Sequence, residues 1–250
     1  MPLHSSQHYE LINLSVLALE HVVLIELFMS QIPYVYALSN SSLLFDASHL
    51  EPDNVLSIQK KIWALTAHCK QSGDFADVVP AMNSLTLYLK NADNLNKWQK
   101  TLLAIWGDIK SASFKSQHHK INTVYNGEDI AYVAKYNNLT IEDVISIHSK
   151  THYHVLFLGF QPGFAYLHGL DERLQTPRRS EPRTKVPKGS VAIGADITAI
   201  YPADTPGGWH IIGHTNTLLF DHTLQTPCLI NPGDTLEFVP CSLSEGIKHD

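Results

Sequence analysis

Apolar positions along this chain change their spacing from stretch to stretch, and the changes mark out its elements. From Val55 to Cys69 the residues Val55, Ile58, Ile62, Leu65 and Cys69 recur at three- or four-residue steps, which gathers them on one face of a helix introduced by Pro52 and Asp53. Leu95, Trp98, Leu102 and Ile105 repeat the pattern and predict a second amphipathic helix, ended by Gly107. Elsewhere in this region β-formers dominate. Tyr34 to Leu38 and Leu43 to Phe45 read as a hairpin across Ser39 to Ser42, and Ala76 to Leu89 reads as two extended segments around a turn at Pro80 to Ser84. Two helices with several strands make a small α+β layer.

A polar stretch from Lys110 to Lys120, rich in Ser and Gln, interrupts this pattern and reads as a linker. Beyond it a strand is predicted near Ile121 to Tyr125, then two short helices, Asp129 to Tyr136 and Ile141 to His148, the second capped by Thr140 with Asp143 three residues on. Strands then take over. Val155 to Phe160, Ser190 to Ile193, Trp209 to Thr215, Thr217 to Phe220 and Thr235 to Val239 are short, rich in β-formers and separated by Gly and Pro turns. The expected class is α+β: an apolar helical extension over 1–32, a small α+β domain over 33–114 and a closed or nearly closed β-barrel over 118–244.

Composition excludes some roles. With 44% hydrophobic and 17% charged residues the chain has the makeup of a globular protein rather than a disordered one. A formal net charge of -6 argues against a general nucleic-acid binder, which needs a broad excess of Lys and Arg to displace counterions. Cys69, Cys228 and Cys241 form no CxxC pair and suit reduced thiols in a cytoplasm. Leu11 to Ile32 is strongly apolar, yet no Lys or Arg precedes Lys60, and Glu20, His21 and Glu26 interrupt the run. A buried or partner-covered helix is expected there, and membrane association is disfavoured.

Three runs hold the candidate chemistry: GFQPGFAYLHGLD from Gly159, TPRRSEPRTKVPKGSVAIG from Thr176 and AIYPADTPGGWHIIGHT from Ala199. Runs dense in Gly, Pro, aromatic and basic residues build rigid loops that hold polar groups in place. Arg173, Arg178, Arg179, Arg183, Lys185 and Lys188 crowd into one proline-bounded segment, creating a local positive field within an acidic chain. Gln161 is placed to aim an amide into the same cleft, and Phe164, Tyr166, Tyr201 and Trp209 serve either as its walls or as barrel core. Gly207 and Gly208 either let a backbone approach a ligand or permit a tight turn. The histidine pairs His118 with His119 and His152 with His154 lack a third ligand, so no metal site is evident. Neither a GxSxG elbow nor a GxxxxGK[ST] loop is present.

GFQPGFAYL, TPRRSEPRTKVPKGSVAIG, IYPADTPGGWHIIG and NPGDTLEFVP resemble, in order and spacing, the family of the bacterial 5-oxoprolinase B subunit. That family includes a kinase inhibitor of sporulation and is similar to allophanate hydrolase subunit 1 and to part of the carboxyltransferase region of urea carboxylase. The resemblance implies a cyclophilin-like barrel after the α+β domain. It implies two partners, a C subunit homologue and an A subunit, in ATP-dependent opening of 5-oxoproline to L-glutamate, with ATP held largely on the partner. A histidine kinase is the alternative partner, and a urea or allophanate carboxyltransferase system the alternative setting. An unstrained lactam is a poor electrophile, and phosphorylating its oxygen makes attack by water feasible, so cations that offset phosphate charge are needed. Arg178, Arg183 and Lys185 match the family motif and, with His214, are the candidate catalytic residues; Gln161, Phe164, Tyr166, Tyr201, Gly207, Gly208 and Trp209 are the candidate substrate-binding ones. The chain departs from the family pattern in several places. Ile197, Thr198 and Ala199 stand where the family has Gln-Thr-Gly, His214 stands in place of an arginine, and Ala165 in place of a proline. The loop from Tyr125 to Glu128 is shortened. A histidine that is mostly neutral at pH 7 holds an anion less well than arginine does.

Overall fold

The computed structural model describes residues 32–50, 54–110 and 116–242. The predicted apolar N-terminal helix lies outside them except for Ile32, as do Pro52 and Asp53. Among the described residues no helix is long and apolar enough to cross a membrane. The chain divides into two compact units, 1–112 and 113–250.

In the first unit, strands β1 (Tyr34–Ala37), β2 (Ser42–Asp46), β3 (Phe75–Ala81) and β4 (Ser84–Leu89) form an antiparallel sheet in the order β1-β2-β4-β3. Helices α1 (Val55–Ser72) and α2 (Leu95–Asp108) supply the rest of its core. The spacing read from the sequence fixes the buried face of α1: Ile58, Ile62, Leu65 and Cys69 are all buried. Its cap is Asn54, whose side chain accepts from the Ser57 amide, and Gly73 ends it at a φ of 74°. Helix α2 continues through Gly107 to Asp108 and buries Trp106, while Ile105 is only partly buried. The indole of Trp98 donates to Asp74, which lets this large ring sit in the core with its N–H satisfied.

The second unit is built on β5 (His118–Thr123), α3 (Ile130–Tyr136), α4 (Ile141–Lys150), β6 (Tyr153–Leu158), β7 (Ala165–His168), β8 (Arg183–Val186), β9 (Ser190–Gly194), β10 (Ile197–Ile200), β11 (Thr205–Gly207), β12 (His210–His214) and β13 (Thr235–Pro240). Seven strands follow the order β12-β9-β10-β7-β6-β13-β5. Just past β5, Val124 exchanges two backbone hydrogen bonds with His214 of β12, so the two edges of the sheet meet. This pairing closes the barrel that the run of short strands predicts. A two-stranded ribbon of β8 and β11 stands apart from it.

Strand alternation then sorts the side chains into two clusters. Val191, Ile193, Ile200, Ile212, Leu236 and Phe238 pack with Ile130 and Val133 of α3 and Val144 of α4. Their neighbours in sequence, Ala192, Ala199 and Ile211, turn to the other face and pack with Phe164, Val186, Tyr201 and Trp209. Helix α4 carries the capping box expected at Thr140 and Asp143. It also brings in His148, fully buried, with Nδ1 2.8 Å from the Tyr125 hydroxyl and Nε2 3.0 Å from Thr198 Oγ1. Burial pushes its pKa down to about 3, so the ring is neutral.

Two expectations are corrected here. Thr217 to Phe220 forms no strand; Phe220 makes only an isolated bridge to Cys228. Conversely β7, β8, β10 and β11 carry no separate prediction, because three or four residues bounded by Gly and Pro are too short to show a period.

Candidate functional site

The second apolar cluster is the floor of the site. Phe164 stands at its centre, with ring centroids 5.1 Å from Tyr166, 5.3 Å from Tyr201 and 5.6 Å from Trp209, all edge to face. Phe164 and Tyr201 are each only 2% exposed, so they support the surface rather than form its walls. Tyr166 is partly exposed, and Phe157 stacks on it at 4.3 Å. Of the two readings for these aromatics, core holds for Phe164, Tyr201 and Trp209, while Tyr166 remains accessible.

The glycines serve this packing. A Cβ on Gly207 would press on the Tyr201 hydroxyl, and one on Gly194 would enter the Trp209 ring. Gly207 is therefore a place of close approach, but to a side chain of the same cluster. Gly208 has only ordinary contacts, with Pro182 and Arg179.

The loop from Gly159 to Phe164 borders the cluster. Phe160 is 60% exposed with φ 65°, a conformation that bulky residues avoid. Its ring lies edge-on to Phe164 at 5.2 Å and to Tyr201 at 6.4 Å. Gln161 turns inward: its Nε2 is buried and has no hydrogen-bond partner.

Arginines approach from the proline-bounded segment. Arg178 lies 5.5 Å over the Trp209 ring, and among the described residues no carboxylate pairs with it. Burial raises the pKa of both Tyr166 and Tyr201, and the Arg178 charge opposes the rise in each, which places that charge beside both phenols. Arg183 enters from β8. Its Nε is 2.8 Å from Glu128 and its Nη2 2.8 Å from Asp129 Oδ1, while its Nη1 is buried without a partner. Burial works against the Arg183 charge, and the hydrogen bonds and charges of Asp129 and Glu128 outweigh it, leaving the pKa above the ordinary value.

Asp129 is the residue the sequence motifs do not single out. It stands at the N-cap of α3, yet its side chain makes no cap hydrogen bond. Instead Oδ1 accepts from Arg179 at 3.2 Å and from Arg183 at 2.8 Å, and Oδ2 accepts from the Ile211 amide at 2.7 Å. Its own amide donates to the Ile211 carbonyl, so loop and strand are tied in both directions. The signal available in the sequence is only an acidic pair, Glu128 and Asp129, ahead of a helix.

The other two candidates have partners of their own. Lys185 is exposed and pairs at 2.7 Å with exposed Asp204, each shifting the other toward its charged form. His214 sits at the end of β12, with Nε2 3.1 Å from Asn216, and its ring packs where a Cβ on Gly189 would be. Among the described residues no hydrogen bond, ion pair or ring contact joins either of them to the arginines or the aromatic floor. The departures at Ile197 and Ala199 fall on this floor, where Ala199 is fully buried and Ile197 partly so, making it more apolar.

What the arrangement offers is Arg178, a guanidinium that no carboxylate among the described residues pairs with, over Trp209 of the aromatic floor; Arg183 Nη1 and Gln161 Nε2 are two further buried N–H donors for which the described residues supply no acceptor. Such donors are costly to bury unmatched, and an anionic or carbonyl ligand would match them. Residues 33–230 match the family described as Carboxyltransferase domain, subdomain C and D. The chain is 43% identical over 195 residues to the 5-oxoprolinase B subunit of Escherichia coli O157:H7, covering 76% of this chain and 89% of that protein. It belongs to the 5-oxoprolinase B subunit family. A Bacillus subtilis protein of the same name is 44% identical over 183 residues, covering 67% of this chain and 76% of the relative. The fold is shared more widely: Kluyveromyces lactis urea amidolyase superposes with a TM-score of 0.73 at 20% identity, over 87% of this chain but 15% of the enzyme. The cyclophilin-like barrel is thus common to a family of single subunits and to a much longer enzyme.

Proposed function

We propose that this chain supplies the B subunit of an ATP-dependent 5-oxoprolinase complex, acting with a C subunit homologue and an A subunit to open 5-oxoproline to L-glutamate. The observation that carries the reading is Arg178, a cation lying over Trp209 with no carboxylate partner among the described residues. The family names of the relatives supply the reaction, and this constellation is suited to its chemistry.

A lactam carbonyl and the carboxylate of 5-oxoproline both present oxygens to N–H donors. As a phosphoryl group is transferred to the lactam oxygen, negative charge spreads over the phosphate oxygens, where a guanidinium offsets it with two parallel hydrogen bonds. Arg178 takes that role. Arg183, held by Asp129 and Glu128, offers Nη1 in a fixed direction, and fixed dipoles stabilise developing charge without reorganising. Gln161 adds an amide donor to the lactam or carboxylate oxygen. The sequence contains no GxxxxGK[ST] loop, so ATP is bound jointly with the partner and Lys185 is at most a peripheral contributor.

Arg178→Ala tests this in the complex reconstituted from its three components. We expect kcat/KM for 5-oxoproline to fall by about 100-fold, the range for losing one charge-stabilising donor, with Arg178→Lys partly restoring it. Gel filtration should show the complex intact, since Arg178 is exposed. Unchanged kinetics in an assembled complex would remove Arg178, and with it the site, from the reaction.

A further inference from the structure

The histidine pairs noted in the sequence lack a third ligand there, and the parallel pairing of β5 with β13 supplies one. In that register Thr235 lies opposite His118 and Glu237 opposite Lys120, so Glu237 is one same-face step along from His118. His152, just ahead of β6, reaches the same point. His118 Nε2 is 3.8 Å from Glu237 Oε1, and His152 Nδ1 is 3.9 Å from Glu237 Oε2. One donor atom from each of the three lies within 4.8 Å of the other two. Neither β5 nor β13 contributes a residue to the second apolar cluster.

We propose that His118, His152 and Glu237 form a site for a divalent transition metal, zinc foremost, with the remaining coordination open to water or an outside donor. Two imidazoles and one carboxylate are a donor set that suits zinc and leaves a position open. Zinc bonds of about 2.0–2.1 Å at tetrahedral angles put ligand atoms about 3.3 Å apart. The observed 3.8 and 3.9 Å separations from Glu237 exceed that by about half an ångström, and the two imidazole nitrogens lie within 4.8 Å of each other, so rotation of two exposed rings draws the three donors together. These separations are too long for hydrogen bonds, so the histidines and the glutamate face one another without bonding.

A second feature belongs to metal sites. His118 Nδ1 is 3.0 Å from Thr235 Oγ1, a bond that orients the ring and leaves Nε2 aimed at Glu237. Metal-bound histidines ordinarily use their other nitrogen in this way. The competitor is Lys120, whose Nζ is 3.1 Å from Glu237 Oε1. Lys120 is 71% exposed, and exposed pairs of this kind contribute little, so a metal displaces the ammonium.

Isothermal titration of the chelator-treated full chain with zinc chloride tests this, with cobalt absorbance reporting the coordination number. We expect one saturable site, a four-coordinate cobalt spectrum, and affinity lowered at least about tenfold in His152→Ala and Glu237→Gln. Thr235→Val should weaken binding about 10–100-fold, and Lys120→Ala should tighten it. His152 is 68% exposed, so its replacement leaves the fold intact and makes it the deciding variant. No saturable binding, or binding unchanged in His152→Ala, would overturn the assignment, the latter by locating the metal on other histidines.

Discussion

Both carboxylate oxygens of Asp129 are committed, one to Arg179 and Arg183 and the other to the Ile211 amide, and its side chain is only 7% exposed. Replacing it by asparagine keeps the shape but removes the charge that offsets partly buried Arg183. Breaking a fully buried pair from one side costs about 3–5 kcal/mol, and the loss here is smaller because Arg183 is partly exposed and Glu128 remains on its Nε. Loss of the tie also lets the Arg183 fork drift, and an ångström of misplacement costs about 100-fold in rate. Asp129→Asn should therefore lower both the urea midpoint of the chain and kcat/KM of the complex. Arg173→Ala, which breaks only the exposed pair with Asp171, should change neither. At this scale the arginines and aromatics were legible because their runs are dense and motif-like. Asp129 was not, since its partners lie 50, 54 and 82 residues away.

Elements with a clear period were read nearly to their ends: α1 was expected to start at Val55 and does, and α4 has the predicted capping box. The short strands β7, β8, β10 and β11 were invisible because sheet pairing, not local preference, holds so few residues extended. What joins α4 to β10 is the bond from His148 to Thr198, and it has a pH consequence. The folded pKa of His148 is depressed from 6.5 to about 3, so between those values the unfolded chain binds the extra proton. Stability is thus full above pH 6.5 and declines as pH falls toward 3. From pH 6.5 to 5 the loss is about 1.6 kcal/mol for this group. Urea unfolding of the wild type and of His148→Gln across that range should show a slope difference of this size. Parallel curves would mean that His148 is protonated in the folded state.

For the whole molecule, the family assignment and the site point to a part that works with others. The chain spans 89% of the Escherichia coli B subunit yet 15% of Kluyveromyces lactis urea amidolyase, and among the described residues no carboxylate pairs with Arg178 over Trp209. Carboxylates pair with Arg173, Arg179, Arg183 and Lys185 of the basic segment, so its positive field narrows to Arg178 and Lys188, which have no ion pair among the described residues. The closing of the sheet through Val124 and His214 was not readable, because it depends on a pairing between residues far apart in sequence. The most direct measurement is ADP release dependent on 5-oxoproline, from this chain mixed with its A and C subunit homologues and from the same mixture without it. We predict release that requires this chain and largely disappears with Arg178→Ala. Equal release when the chain is omitted, or none from a fully assembled complex, would contradict its place in the reaction.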